Sequence, residues 1–371
     1  MKTYLFYLFI TLLSVFFLML YSNIKSGDYK MKLSPKTALL SLSFLSLFIP
    51  IIIRDVSVGA DYITYQNTFN SIISSNYLSS ETVSWLGLPF IYLLKFIAPI
   101  CLNSYVLFYG IISFATLVFL YLSILKSKIP WLSLMLFIGF CLYFQMFNQM
   151  RQLLAISMIL YSFKYIDGRN IIKFLLLIIS ASVIHMTAII FLPVYFISKL
   201  KINRRNLTIY ASIGVLSALY FNEIMKLVAL TPYGSTYLDS GYNTQFSSST
   251  IMNFLVRLTM LIGVLSLAKK TIKENLNATY LYNLVIICTI LQVMTMYSAL
   301  FGRITTMFFI FYILLIPAVI TANFKKELAR RATFAVVIAL LTYQSVYYLS
   351  PNGASSGGYD TYKVMPTGRQ E

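Results

Sequence analysis

The sequence predicts an all-α, polytopic transmembrane helical bundle of about 12 spans (range 10–14), on three observations. Hydrophobic residues make up 59% of the 371 and charged residues 11%, against about 45–50% and about 25% in soluble domains. No single soluble core in a chain of this length hides so much apolar surface. Apolar runs long enough to cross roughly 30 Å of hydrocarbon recur from end to end. Finally, 29 basic residues face 11 acidic ones, a formal charge of +18, and lysine and arginine collect on the cytoplasmic side of membrane proteins.

In chain order, the run at 3–21 is a retained first span, because no small-residue cleavage site precedes the polar stretch Ser22–Lys36. Further runs lie at 37–53, 104–125, 130–147, 150–166, 207–222, 251–268, 279–299, 303–321 and 332–349. Two stretches need the charges to settle them. Residues 84–101 are apolar but interrupted by Gly87, Pro89, Lys95 and Pro99. Residues 171–199 are too long for one plain span.

The basic clusters are Lys25 to Lys36, Lys126/Lys128, Lys164 to Lys173, Lys199 to Arg205, Lys269 to Lys273 and Lys325 to Arg331. All fall on one side only if 84–101 is a re-entrant or interfacial segment and 171–199 is a hairpin turning near His185. Twenty of the 29 basic residues are then inside and nine outside, with both termini outside. The expected organisation is one integral-membrane domain over 1–350, with external loops 54–82 and 223–250 and a mobile external tail over 351–371. The charge is thus a topology signal, and nucleic acid is not an expected partner; membrane lipids are.

Several function classes drop out. Cys101, Cys141 and Cys288 sit in apolar runs without CxxC spacing, and His185 is the single histidine, so no disulfide framework or multi-histidine metal centre is expected. Glycine-rich phosphate loops are absent. No cofactor and no metal are expected.

On the outer side stand Arg54, Arg151, Arg257 and Arg303, at or below the membrane surface and against the general charge bias. One such arginine is accounted for by anchoring at the interface. Four together indicate an external anion site, because intramembrane ionisable groups mark substrate paths and the guanidinium fork pairs with phosphate oxygens. Asp61, in Val58-Gly59-Ala60-Asp61-Tyr62, is either the cap of a following helix or a carboxylate that orients an arginine or accepts a sugar hydroxyl. Glu81 has the same choice with a weaker setting. His185 is either a packing residue or a group titrating near neutrality in an aqueous cavity.

Three segments carry a resemblance: Arg54 to Tyr65, Phe147-Asn148-Gln149-Met150-Arg151-Gln152 running on to Ala155, and Ala181 to Ala188 around His185. With them the chain resembles the EpsG/Wzy family of exopolysaccharide and O-antigen repeat-unit polymerases. The layout agrees over roughly 1–350, the specific part over about thirty residues. Where that family often has Gly-Thr-Asp, this chain has Gly59-Ala60-Asp61, which removes a hydroxyl and keeps the carboxylate. By position the resemblance points to Arg54, Asp61, Arg151, Gln152 and His185. It implies an undecaprenyl-diphosphate-linked oligosaccharide as substrate on the outer face of the cytoplasmic (inner) membrane, with a chain-length regulator and a flippase as partners. The four arginines would bind the diphosphate in place of a metal, with His185 or Asp61 as base and Gln152 and Glu81 in support. Two other classes stay open. One is a flippase or transporter using the same arginines; the other is a membrane-bound O-acyltransferase using Asn148 and His185.

The charge split makes a direct prediction. Single cysteines placed at 125–129 or 269–275 in a cysteine-free background will be shielded from an impermeant thiol reagent in intact cells. Those at 70–80 or 235–245 will label. External labelling at 269–275 would contradict the topology.

Overall fold

A computed structural model describes residues 2–24, 34–74, 82–83, 86–230, 248–298, 300–349, 358 and 361–365. Among the described residues there is no strand, only one isolated antiparallel bridge between Arg54 and Val364. The chain is all-helical and multi-pass. The helices are α1 (Lys2–Asn23), α2 (Pro35–Ile52), α3 (Tyr62–Ser74), α4 (Leu88–Ile97), α5 (Tyr105–Ile124), α6 (Pro130–Gly139), α7 (Leu142–Gln145), α8 (Met150–Asp167) and α9 (Ile171–Ile184). After a 3-10 turn (Met186–Phe191) come α10 (Val194–Ile197), α11 (Arg204–Leu219), α12 (Phe221–Ala229), α13 (Ser248–Ser266), α14 (Ala268–Glu274), α15 (Ala278–Thr295), α16 (Leu300–Phe309), α17 (Tyr312–Asn323) and α18 (Lys326–Leu349).

Five helical stretches are long and apolar enough to cross a membrane: Lys2–Asn23, Pro35–Ile52, Tyr105–Ile124, Ala278–Thr295 and Phe301–Asn323. Two further pairs qualify together but are bent, α11 with α12 by 75° and α13 with α14 by 58°. Among the described residues of 84–101, read as a segment that does not cross, is the ten-residue α4, about 15 Å of helix against roughly 30 Å of hydrocarbon.

The chain divides into two compact units. The first comprises 1–76, 92–157 and 324–371; the second comprises 77–91 and 158–323.

In the first unit α1 packs on α2 through reciprocal serine bonds. Ser14 Oγ donates to the Ser43 carbonyl and Ser43 Oγ to the Ser14 carbonyl, both at 2.8 Å. The hydroxyl of Tyr121 on α5 joins Ser43 Oγ at 2.8 Å. Small residues let helices approach while their hydroxyls stay paired where no water is available. The second contact of this kind joins α6 to α18: a Cβ added to Gly139 would lie 2.9 Å from Leu340 Cβ. Ser34 caps α2 by accepting from Thr37 N at 3.2 Å, with Pro35 at the first helical position.

The second unit is built around α15. Asn283, fully buried on it, donates to the carbonyls of Ser198 and Leu200 at 2.8 Å each and accepts from the Tyr210 hydroxyl at 2.8 Å. The chain reverses at His185, as the charge pattern required. His185 is extended (φ −146°, ψ 106°) and ends α9, and beyond it the Tyr195 ring returns to 5.3 Å from Phe174. Had the helix run on, those rings would be about 31 Å apart.

Asn283 ties two elements to α15, so its loss will be felt in stability. Asn283→Leu leaves the Tyr210 hydroxyl and two carbonyls without their partner, at about 1–3 kcal/mol per buried group. The purified protein in detergent is expected to melt several degrees lower; an unchanged melting temperature would show that these bonds are dispensable.

Candidate functional site

In the first unit, two of the segments singled out from the sequence meet through one side chain. Arg54 follows the last turn of α2 and is 1% exposed. Its Nη1 donates to the carbonyls of Val58 and Phe147, both at 2.8 Å. Its guanidinium carbon lies 4.7 Å from the ring centre of Tyr62, 4.6 Å from that of Tyr109 and 4.9 Å from that of Phe147. No described carboxylate lies within ion-pair distance of it. Two carbonyl dipoles and three aromatic faces therefore meet the charge, while Nε and Nη2 are buried without a partner among the described residues. Tyr109 is held in turn by donating its hydroxyl to the Met146 carbonyl.

This clamp seats the loop 55–61. Gly59 has φ +101°, open to glycine at little cost, and a Cβ there would come within 2.7 Å of the Phe147 carbonyl, 2.8 Å of Arg54 Nη1 and 2.9 Å of Asn148 Oδ1. Asn148 Oδ1 also accepts from the Asp61 amide at 3.4 Å. Asp61 stands exposed at the start of α3, where its carbonyl accepts from Tyr65 N at 3.0 Å, as expected of a residue at a helix start. Arg151 and Gln152 lie in the first turn of α8, four and five residues past Phe147, and are 5% and 3% exposed.

The described tail residues, 358 and 361–365, are bonded to the same loop. Asp55 N donates to the Lys363 carbonyl at 2.9 Å, Met365 N to the Ile53 carbonyl at 2.8 Å and Gly59 N to the Gly358 carbonyl at 2.8 Å. The Tyr362 hydroxyl donates to the Pro50 carbonyl at 2.8 Å. Burial pushes that phenol up to about 12, although the nearby Arg54 charge pulls the other way. The three bonds from Asp55, Met365 and Gly59 are main-chain bonds, which any sequence can supply.

The other predicted residues lie in the second unit. His185 is 8% exposed, and its carbonyl accepts from Ala188 N at 2.9 Å to start the 3-10 turn. Arg257, half-buried on α13, sits 4.5 Å from the Phe309 ring centre with Nη1 3.9 Å from Cys288 Sγ. Arg303 is half-buried on α16. Glu81 lies outside the described residues. Among the described residues no three His, Cys, Asp or Glu side chains gather as a metal site.

The structure thus joins Arg54 and the Asp61 loop to the turn that leads into Arg151 and Gln152, using residues the sequence did not single out for this site: Gly59, Asn148, Tyr62, Tyr109 and the tail residues around Tyr362. The one available signal for them was the run of aromatic and amide residues inside the two segments themselves. Comparison with curated proteins and with solved structures yields no match. A family model described as EpsG family matches residues 37–363, most of the chain, and the chain therefore belongs to the EpsG family.

Proposed function

We propose that this protein joins lipid-diphosphate-linked oligosaccharide repeat units into a polysaccharide on the outer face of the cytoplasmic membrane, using arginines in place of a metal. The observation that carries the reading is the clamp: Arg54 fastens the Asp61-bearing loop to the turn that leads into Arg151. Family membership supports a glycosyltransferase-like polymerase of polysaccharide biosynthesis.

The topology reading has geometric support within the first unit. Tyr362 touches both Phe6 and the Pro50 carbonyl, so the start of α1, the end of α2 and the tail share one side. Phe147 joins them through Arg54. Between residues 54 and 147 an even number of crossings is then needed, of which α5 is one. This supports both termini and the Asp61 loop lying on the less basic side.

The reaction moves the growing glycan from its lipid diphosphate to a hydroxyl of the next repeat unit. The acceptor oxygen bonds to the anomeric carbon, the bond from that carbon to the diphosphate oxygen breaks, and the hydroxyl proton passes to a base. Asp61 is the base favoured by its exposure and its clamped loop, with His185 the second candidate. The leaving diphosphate gathers negative charge and needs cations already in place. Arg151 suits that part: it is buried in the first helical turn of α8, four residues past the Phe147 carbonyl that Arg54 engages, and its guanidinium fork matches paired phosphate oxygens. Arg54, enclosed and engaged with carbonyls, is a positioning residue.

The test is a substitution that keeps charge and removes the fork. Loss of a charge-assisted contact costs about 1.5–3 kcal/mol, and each 1.4 kcal/mol of transition-state stabilisation is about tenfold in rate. Arg151→Lys is expected to cut polymer formation at least about tenfold, with single repeat units accumulating on the lipid carrier. Asp61→Asn is expected to abolish polymer with normal protein in the membrane, and the wild-type enzyme to work in EDTA. Wild-type polymer from Arg151→Lys, or a strict need for a divalent ion, would contradict the mechanism.

A further inference from the structure

We propose that C-terminal residues 358 and 361–365 act as a strap that positions the Asp61-bearing loop for reaction. The loop between α2 and α3 is held from two sides. On one side are the Arg54 clamp and the Asn148 amide; on the other is the strap. The strap supplies all three main-chain bonds that join this stretch to a distant part of the chain: Met365 N to Ile53, Asp55 N to Lys363 and Gly59 N to Gly358. Arg54 lies between these contacts in sequence, with its backbone bridged to Val364 and its side chain donating to the Phe147 carbonyl.

The strap has its own anchor away from the loop. The Tyr362 ring packs 4.5 Å from Phe6 and 5.8 Å from Tyr7, its amide donates to Thr3 Oγ1 at 3.3 Å, and its hydroxyl holds the Pro50 carbonyl. Tyr362 thereby anchors the strap to α1 and α2, more than 300 residues away in sequence. Gly358 is seated as closely as Gly59: at φ +70° its Cβ would lie 2.7 Å from Ala60 N. Ala60 adjoins Asp61, so the strap presses on the backbone that sets the carboxylate. Hydrogen bonds facing water give a loop little local stability on their own. With the strap gone, the loop keeps its attachments to Val58, Phe147 and Asn148 and loses the bonds that fix Asp55 and Gly59. The carboxylate would then sample positions out of reach of the acceptor hydroxyl, a loss of orientation that lowers turnover more than substrate binding.

The role in turnover rests on the polymerase reading; the hold on the loop does not. The experiment therefore measures both, on the purified full chain, on the chain ending at Ser350 and on Tyr362→Ala. Amide exchange at Asp55 and Gly59 is expected to accelerate at least about tenfold in both variants, while amides of α15 stay as protected as in the full chain. With a purified lipid-linked repeat unit, kcat is expected to fall at least about tenfold and KM to stay within about twofold. A synthetic peptide of residues 351–371 added to the truncated chain is expected to restore both exchange protection and kcat. Unchanged exchange at Asp55 and Gly59 overturns the strap; faster exchange with wild-type kcat overturns its part in positioning. Strap-dependent exchange in a full chain that makes no polymer would refute the polymerase reading and leave the hold on the loop standing.

Discussion

A guanidinium removed from water needs every nearby dipole aimed at it, and that requirement shapes the first unit. Arg54 lies at a helix end where its long side chain had room to reach outward to the interface. It turns inward instead, and the interior supplies the carbonyls of Val58 and Phe147 and the faces of Tyr62, Tyr109 and Phe147. The arrangement can close only if the loop comes back over the guanidinium, which demands a residue without a side chain at Gly59. It also needs the turn before α8 in place, because one of the two carbonyls belongs to that turn. Folding the clamp and building the site are therefore one event.

The second unit solves the same problem with neutral groups. Asn283 places its amide where two carbonyls and a tyrosine hydroxyl converge, so the break after α10 is satisfied within the protein. Irregular backbone at such depth is tolerated where the protein itself supplies partners. The 3-10 turn after His185 is packed by rings: Phe191 stacks on Phe311 at 5.7 Å and lies 5.1 Å from Phe308.

Much of this was legible in the sequence, for a physical reason. Long apolar runs must be helical in a membrane, so α1, α2, α5, α15 and the stretch Phe301–Asn323 stand where composition put them. The reversal at His185 and the short helix at 84–101 followed from charge placement, since only those choices kept the lysines and arginines on one side. The direction of the Arg54 side chain was not legible. An arginine at a span end snorkels or folds inward depending on an acceptor that, for the Phe147 carbonyl, is 93 residues away. Asn148 was visible as a polar residue of a matching segment and as the partner of His185 in the acyltransferase alternative, and its bond to the Asp61 amide was not legible. The strap was hidden for another reason: it binds through carbonyls and amides, which carry no residue identity, and a run from Ser350 to Gly358 reads as mobile. The division into two units was equally invisible, because helix patterns show which face is apolar and not which neighbour covers it.

The central claim is that the close seat of the loop on the turn before α8 is what makes the site work, and Gly59→Ala tests it with a single methyl group. At φ +101° that methyl meets the Phe147 carbonyl at 2.7 Å and Arg54 Nη1 at 2.8 Å, so the loop must lift while the helices of the bundle stay as they are. Polymer made by membranes carrying equal amounts of each protein is the measurement. The account predicts at least about a tenfold loss for Gly59→Ala, the effect of roughly 1.4 kcal/mol at the transition state. Wild-type polymer length and yield from Gly59→Ala would contradict it.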